Sequence, residues 1–192
     1  MIVIVLPDIP VEDRLLAQAR QGDQDAVMKI YNSYFPPIYN FIRLRVDDPA
    51  LAEDLTSEVF IKLVTALRGR SAPRRSLRGW LFQVARNVLR DHFGQIRHLS
   101  TQALDEWLPD SPDSDPELQF MRTLSSDLIR RALRSLSADQ QEVLILRFGQ
   151  MLSLQETADI MGKQVGAVKS IQFRAVGALR QILSQMQVER NG

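Results

Sequence analysis

Between Arg68 and His98 the chain reads RGRSAPRRSLRGWLFQVARNVLRDHFGQIRH. The stretch has eight arginines, no lysine and one acid, Asp91, with Trp80, Phe82 and Phe93 among them. A solvated helix face would tolerate lysine and mix in glutamate, and this segment does neither. Arginine suits phosphate because its planar fork makes paired, charge-assisted hydrogen bonds. Asparagine and glutamine read base edges, and aromatic rings beside cations offer stacking surfaces to unpaired bases. The pattern points to binding of nucleic acid rather than to a basic surface over ordinary core aromatics.

At about 100° per residue, Arg86, Asn87, Arg90 and Arg97 fall within roughly 60° of Gln83 on a helical wheel. Leu81, Val84, Ala85, Val88, Leu89 and His92 take the opposite side, and Trp80 stands at the border. One face therefore packs into a core while the other shows arginine, asparagine and glutamine. Arg68, Arg70, Arg74, Arg75 and Arg78 crowd the approach to this helix. His92 reads as a packed core histidine and His98 as solvated, so neither suggests a metal site, and no cofactor is expected.

The stretch DDPALAEDLTSEVFIKLVTALRG carries the opposite sign. Asp47, Asp48, Glu53, Asp54 and Glu58 arrive with no base until Lys62. Leu51, Leu55, Val59, Leu63 and Val64 form its core stripe, which leaves Asp54, Ser57, Glu58 and Lys62 outward. Acids near a helix N-terminus are stabilising and account for part of this charge. DNA would be repelled by the rest, so a protein partner is expected here.

A third constellation lies near the C-terminus. LSADQQEVLILRFG opens with Ser137 and Gln140 at capping-box spacing and closes on Gly149. SLQETADIMG repeats the device with Ser153 and Glu156 and stops at Gly162. VGAVKSIQFRAVGALRQILSQM then begins another helix. Helix, short turn, helix is the form of a helix-turn-helix, whose second helix presents its first side chains to the major groove. Lys169, Ser170, Phe173 and Arg174 lie in that position, with Val168, Ile171, Ala175, Ala178, Leu179 and Ile182 mostly inward. Arg147 is placed to hold a phosphate, and Ser153 to cap its helix and touch the backbone.

Spacings of three and four dominate the chain and strand-like alternation is nearly absent, which predicts an all-α protein. Two helices broken near Gly22 are expected over residues 13–46, with Pro36 and Pro37 marking a kink or a first turn. The acidic helix has Asp48 as N-cap, Pro49 in its first position and Gly69 at its end. The arginine-rich helix runs from near Ser76 to about Ile96. Net charge of +1 hides a segregation: residues 1–96 carry +2, residues 97–126 carry −4 and residues 127–192 carry +3. With its prolines and serines, the acidic strip reads as a flexible linker between two small helical domains. The 192 residues suffice for two such units. There is no cysteine, which excludes disulfides and thiolate sites. The opening MIVIVLPDIP is too short and lacks the basic flank of a signal peptide, and no other run reaches membrane-spanning length. A cytoplasmic protein with a loose N-terminal tail is expected.

Two such blocks in this order resemble the extracytoplasmic-function type of bacterial RNA polymerase sigma factor, over about residues 12–98 and 127–186. AEDLTSEVFIKL is similar to that family's polymerase-binding helix, and LRGWLFQVARNVLRDHF to its promoter-melting and minus-ten-reading segment. LSLQETADIMGKQVGAVKSIQFRAVGALRQIL is similar to the helix-turn-helix that reads the minus-thirty-five element. The resemblance implies a tail over 1–11, region two over 12–98, a linker over 99–126 and region four over 127–188. It implies that Asp54, Glu58 and Lys62 meet the β′ clamp helices of core polymerase, with the β flap as a further contact. Arg74, Arg75, Arg78, Trp80, Gln83, Arg86, Asn87 and Arg90 then fall where the family captures the melted strand. Lys169, Ser170, Phe173 and Arg174 fall where it enters the major groove, and Arg147 where it holds backbone. An anti-sigma factor is a further implied partner. Gln164, Ala167, Ile171 and Gln172 depart from the common family run, so the promoter sequence is not carried over.

The implied activity is recruitment: an alternative sigma factor that binds core polymerase, recognises promoters and opens them, without catalysing a bond. The alternative is a stand-alone helix-turn-helix regulator, which would bind duplex DNA tightly by itself. A nucleic-acid-modifying enzyme would want clustered carboxylates or histidines around a cleft, and the acids here are scattered. A purely structural adaptor would leave the arginine–aromatic face without a purpose.

Overall fold

The computed structural model describes residues 9–69, 73, 76–97 and 127–191. These residues are helices and connecting turns, with no strand among them, and they group into two compact units, before and after residue 101. The acidic stretch 99–126 expected as a linker lies outside the described residues, as do residues 1–8 of the expected tail.

The first unit has four helices: α1 (Ile9–Arg20), α2 (Gln24–Arg43), α3 (Pro49–Arg68) and α4 (Leu77–Arg97). Of the expected 1–11 tail, the described residues from Ile9 onward, Pro10 among them, already belong to α1. Gly22, at φ 91°, supplies the left-handed residue that separates α1 from α2. Asp23 then caps α2, its Oδ1 accepting from the amides of Asp25 (2.9 Å) and Ala26 (3.1 Å). Pro36 and Pro37 do not start a new helix: α2 runs through both, with Pro37 buried. Asp48 caps α3 by accepting from the Ala50 amide at 2.9 Å, Pro49 occupies the first turn and Gly69 closes the end.

Ile30, Tyr34, Ile38, Phe41 and Ile42 of α2 form the spine of this unit's core. Leu55, Val59, Phe60 and Leu63 of α3 and Leu77, Leu81, Phe82, Ala85, Val88 and Leu89 of α4 complete it. Phe41 and Phe82 meet edge to face with centroids 5.3 Å apart, a favoured aromatic geometry. The one polar group deep on α3, the Thr56 hydroxyl, donates to the Ala52 carbonyl at 2.6 Å. It therefore stays satisfied despite burial.

The second unit holds α5 (Asp127–Arg134), α6 (Ala138–Leu144), α7 (Leu154–Met161) and α8 (Val165–Asn191). Between α6 and α7 the helix widens into a π turn over Ile145–Gly149. The sequence signals give the end at Gly149 but not this widening. The amide of Gln150 donates to the Ile145 carbonyl (2.9 Å) and that of Leu152 to Leu146 (3.1 Å). Met151 crosses the left-handed region at φ 56° to re-aim the chain, with its side chain exposed. Both capping signals act: Gln140 Oε1 accepts from the Ser137 amide (3.1 Å). At α7, Ser153 Oγ accepts from the Glu156 amide (3.1 Å) while Glu156 Oε2 accepts from the Ser153 amide (2.8 Å). Gly162, at φ 64°, ends α7 in the left-handed conformation that turns the chain into α8.

Candidate nucleic-acid interface

On α4, Gln83, Asn87 and Arg90 are exposed and Arg86 is half-buried, while Leu81, Ala85, Val88 and Leu89 point inward. Trp80 is half-buried, where the two faces meet. Arg90 Nε lies 3.9 Å from Asp91 Oδ1 with both side chains in solvent. Such a pair is worth little and can be exchanged for a ligand. The helix thus presents hydrogen-bonding and cationic groups beside an indole. Arg74 and Arg75 lie outside the described residues.

Two expectations for α4 are corrected. His92 is not in the core: it is half-exposed and stands edge-on to Phe93 at 5.5 Å. Arg78 belongs to the interior, not to the outward row. Its side chain is 15% exposed and its Nε lies 3.8 Å from Glu12 Oε2. Glu12 is 2% exposed. One of its oxygens accepts from the Tyr34 hydroxyl at 2.6 Å, and the other accepts from the Arg78 amide at 2.9 Å. A carboxylate from α1 therefore caps the first turn of α4 and neutralises the arginine there. Burial, then the hydrogen bond and charge of Glu12, push the Tyr34 hydroxyl far above its ordinary value, with Arg78 drawing it the other way. The sequence reading missed Glu12 and Tyr34. The usable signal was that Glu12 shares a face with Leu16 and Ala19, so an acid sits in an apolar stripe.

Asp54, Ser57, Glu58 and Lys62 form an exposed row on α3, and Lys62 Nζ meets Glu58 Oε1 at 3.1 Å. Beside them Ile61 is 65% exposed, an apolar neighbour the sequence reading did not single out. On α2, Met28 and Tyr31 are also exposed, and the Tyr31 ring touches Phe60 of α3 with centroids 4.9 Å apart. The face shared by α2 and α3 is thus acidic and apolar together, which fits a protein surface better than a phosphate backbone.

In the second unit Lys169, Ser170, Phe173 and Arg174 are all exposed on the first half of α8, while Val168, Ile171, Ala175 and Leu179 are buried. Phe173 is 69% exposed, so it is not a core side chain. Ser170 Oγ donates to the Gly166 carbonyl at 3.1 Å, a bond it can trade for one to a base. Arg147 differs from the expectation of a ready phosphate ligand. It is half-buried, its Nε donates to Gln172 Oε1 at 3.0 Å and its Nη1 donates to the Leu152 carbonyl. Lys163 Nζ joins Asp139 Oδ2 at 2.9 Å, tying the turn of the motif to the start of α6.

No helix among the described residues is long and apolar enough to cross a membrane. Among those residues no group of histidines and acids could hold a metal ion.

Both units match family models of known proteins. Residues 30–98 match the family model for Sigma-70 region 2, and residues 132–181 match that for Sigma-70, region 4. The chain is 37% identical over 170 residues to the ECF RNA polymerase sigma factor BldN of Streptomyces coelicolor, covering 88% of this chain and 64% of that relative. It is 31% identical over 175 residues to the RNA polymerase sigma factor CarQ of Myxococcus xanthus, covering 88% of this chain and 96% of CarQ. Among solved structures, CnrH in complex with the cytosolic domain of CnrY has the same fold, with a TM-score of 0.69 at 23% identity. That likeness covers 91% of this chain and 98% of CnrH. The sigma factor RpoE of Bartonella quintana, in complex with the anti-sigma factor NepR, gives a TM-score of 0.63 at 26% identity, covering 82% of this chain and 96% of RpoE.

Proposed function

The chain belongs to the extracytoplasmic-function group of the sigma-70 family, alternative sigma factors of transcription initiation, and we propose how its surfaces divide that work. The acidic row Asp54, Glu58 and Lys62, with Ile61 beside it, docks on the β′ clamp helices of core polymerase, and the β flap receives the second unit. The outward face of α4 (Trp80, Gln83, Arg86, Asn87 and Arg90), with Arg74 and Arg75 before it, holds the melted strand of the downstream promoter element. Lys169, Ser170, Phe173 and Arg174 enter the major groove of the upstream element. Region two then spans 12–98 and region four 127–188, with 99–126 as the tether.

The observation that carries this reading is the amphipathic build of α4. Gln83, Asn87 and Arg90 are in solvent, Trp80 is half-open, and the opposite face is sunk in the core. Taking a base out of the stack costs a few kcal/mol, and stacking on an aromatic ring returns about 1–3 kcal/mol per base. Neutralised phosphates supply a salt-dependent remainder. No bond is made or broken by this chain, and the work is done in the cytoplasm, where the polymerase is. An anti-sigma factor is the expected regulator, a proposal supported by the RpoE–NepR complex.

Run-off transcription with purified core polymerase on a library of promoters tests the reading. Transcripts from a defined promoter subset are expected with the unmodified chain. Asp54→Lys combined with Glu58→Lys should abolish them, with helical content retained. Tight duplex binding by the chain alone, with no transcripts, would overturn the proposal in favour of a stand-alone regulator.

A further inference from the structure

Arg147 is half-buried and already engages two acceptors of the chain itself. We infer that it is a positioning residue, which sets the rotation of α8 about its axis by bracing Gln172 and so aims Phe173, Lys169 and Arg174. The inference rests on the proposed reading of α8 as the DNA-reading helix.

The geometry has three parts. First, Arg147 sits inside the π turn and its two engaged nitrogens go to different elements. Nη1 holds the carbonyl of Leu152, the residue before the α7 cap, and Nε holds the side chain of Gln172 on α8. One rigid guanidinium therefore spans the chain entering the first helix of the motif and the flank of the second. Lysine, a point charge on a flexible stem, cannot reproduce this planar two-donor geometry.

Second, Gln172 is well placed to transmit rotation. It precedes Phe173 in sequence and lies three residues after Lys169, the spacing at which helix side chains are neighbours. Third, Gln172 is half-buried and adjoins the buried seam of Val168, Ile171, Ala175 and Leu179, between it and the exposed Phe173 and Arg174. A directional hydrogen bond at that border adds to the packing of the seam in fixing the roll of the helix.

A double-mutant cycle on the full chain in complex with core polymerase tests this. The probe is a duplex selected by the unmodified chain from a pool randomised across the upstream element, with affinity measured over a range of salt. Arg147→Lys, Arg147→Ala and Gln172→Ala are each expected to weaken binding by about tenfold and to blur base preference, and the double variant should be no worse than either single. Gln172→Ala leaves all charge in place, so its salt dependence should be unchanged. Circular dichroism reports whether each variant stays helical, and Gln172→Ala at a half-exposed position keeps the test open if an Arg147 variant does not fold. A direct phosphate contact predicts the reverse: Arg147→Lys would keep most of the affinity, Arg147→Ala would reduce the salt slope by about 0.9, and losses at 147 and 172 would multiply. Either the retained affinity of Arg147→Lys or the multiplied losses would overturn the inference. Arg174→Ala on the same duplex serves as the control. No loss there would bring down the assignment of α8 to DNA, and this inference with it.

Discussion

The two helical units aim their exposed cationic faces by different means. In the second unit the fastening is of shorter reach: Ser153 and Glu156 cap each other across three residues, Gln140 caps Ser137 across three, Gly162 ends α7 where it stands, and the bond inferred to aim α8, from Arg147 to Gln172, spans 25 positions. In the first unit the start of α4 is fastened by Glu12, which is 66 positions from Arg78 and 22 from Tyr34. Local fastening lets a short unit build a rigid motif with little core. Long-range fastening makes the angle of α4 depend on α1 and α2 being in place, which couples the strand-binding face to the integrity of the whole unit.

Breaking the long-range side should have the largest effect. Glu12→Ala leaves a buried hydroxyl, a helix-terminal amide and an arginine without their shared partner. Loss of one member of a buried ion pair costs about 3–5 kcal/mol. Urea titration should show the first unit's transition shifted by that amount and the second unit's unmoved. A shift shared by both units would mean that Glu12 does not fasten the first unit alone.

The same network predicts a response to alkali. The Tyr34 hydroxyl is raised above its ordinary value of about 10 by burial and by Glu12, so the unfolded chain loses this proton at lower pH than the folded one. Its contribution is complete below pH about 10 and declines as pH rises further, by up to about 1.4 kcal/mol per pH unit. Tyr34→Phe should remove this decline, measured as the pH dependence of the first unit's stability. An identical alkaline slope in the variant would assign the decline to other groups.

Smaller effects are expected where the fastening is local. Ser153→Ala should cost the second unit about 1 kcal/mol, the usual worth of an N-cap, and thermal melting of that unit would register it. Met151→Gly should have the opposite sign. A non-glycine residue in the left-handed region costs about 1–2 kcal/mol, partly offset by the greater freedom of glycine when unfolded, so a gain of about 0.5–1 kcal/mol is expected. A loss on Met151→Gly would mean that the exposed methionine makes contacts outweighing its strain.

What the chain made legible follows the same division. The caps at Asp48, Ser137 and Ser153, the stops at Gly69 and Gly162, and the outward rows on α3, α4 and α8 all rest on spacings of three or four, which a linear reading can see. Arg78 was misplaced because the group that draws it inward lies a full domain's length away. The bond from Arg147 to Gln172 was illegible for the same reason, since the two lie 25 positions apart. The π turn escaped notice because widening by one residue leaves the hydrophobic pattern of ILRFG nearly intact. Pro36 and Pro37 suggested a break, but burial of Ile30, Tyr34, Ile38, Phe41 and Ile42 along one stripe keeps α2 continuous across them.

The family match in the first unit begins at residue 30, beyond the end of α1. A fragment excised at that edge would carry every residue proposed to touch the melted strand, yet it would leave a hole where Glu12 stood. Such a piece should fold loosely and bind single strands poorly, and a synthetic peptide spanning Ile9–Arg20, supplied in trans, should repair it.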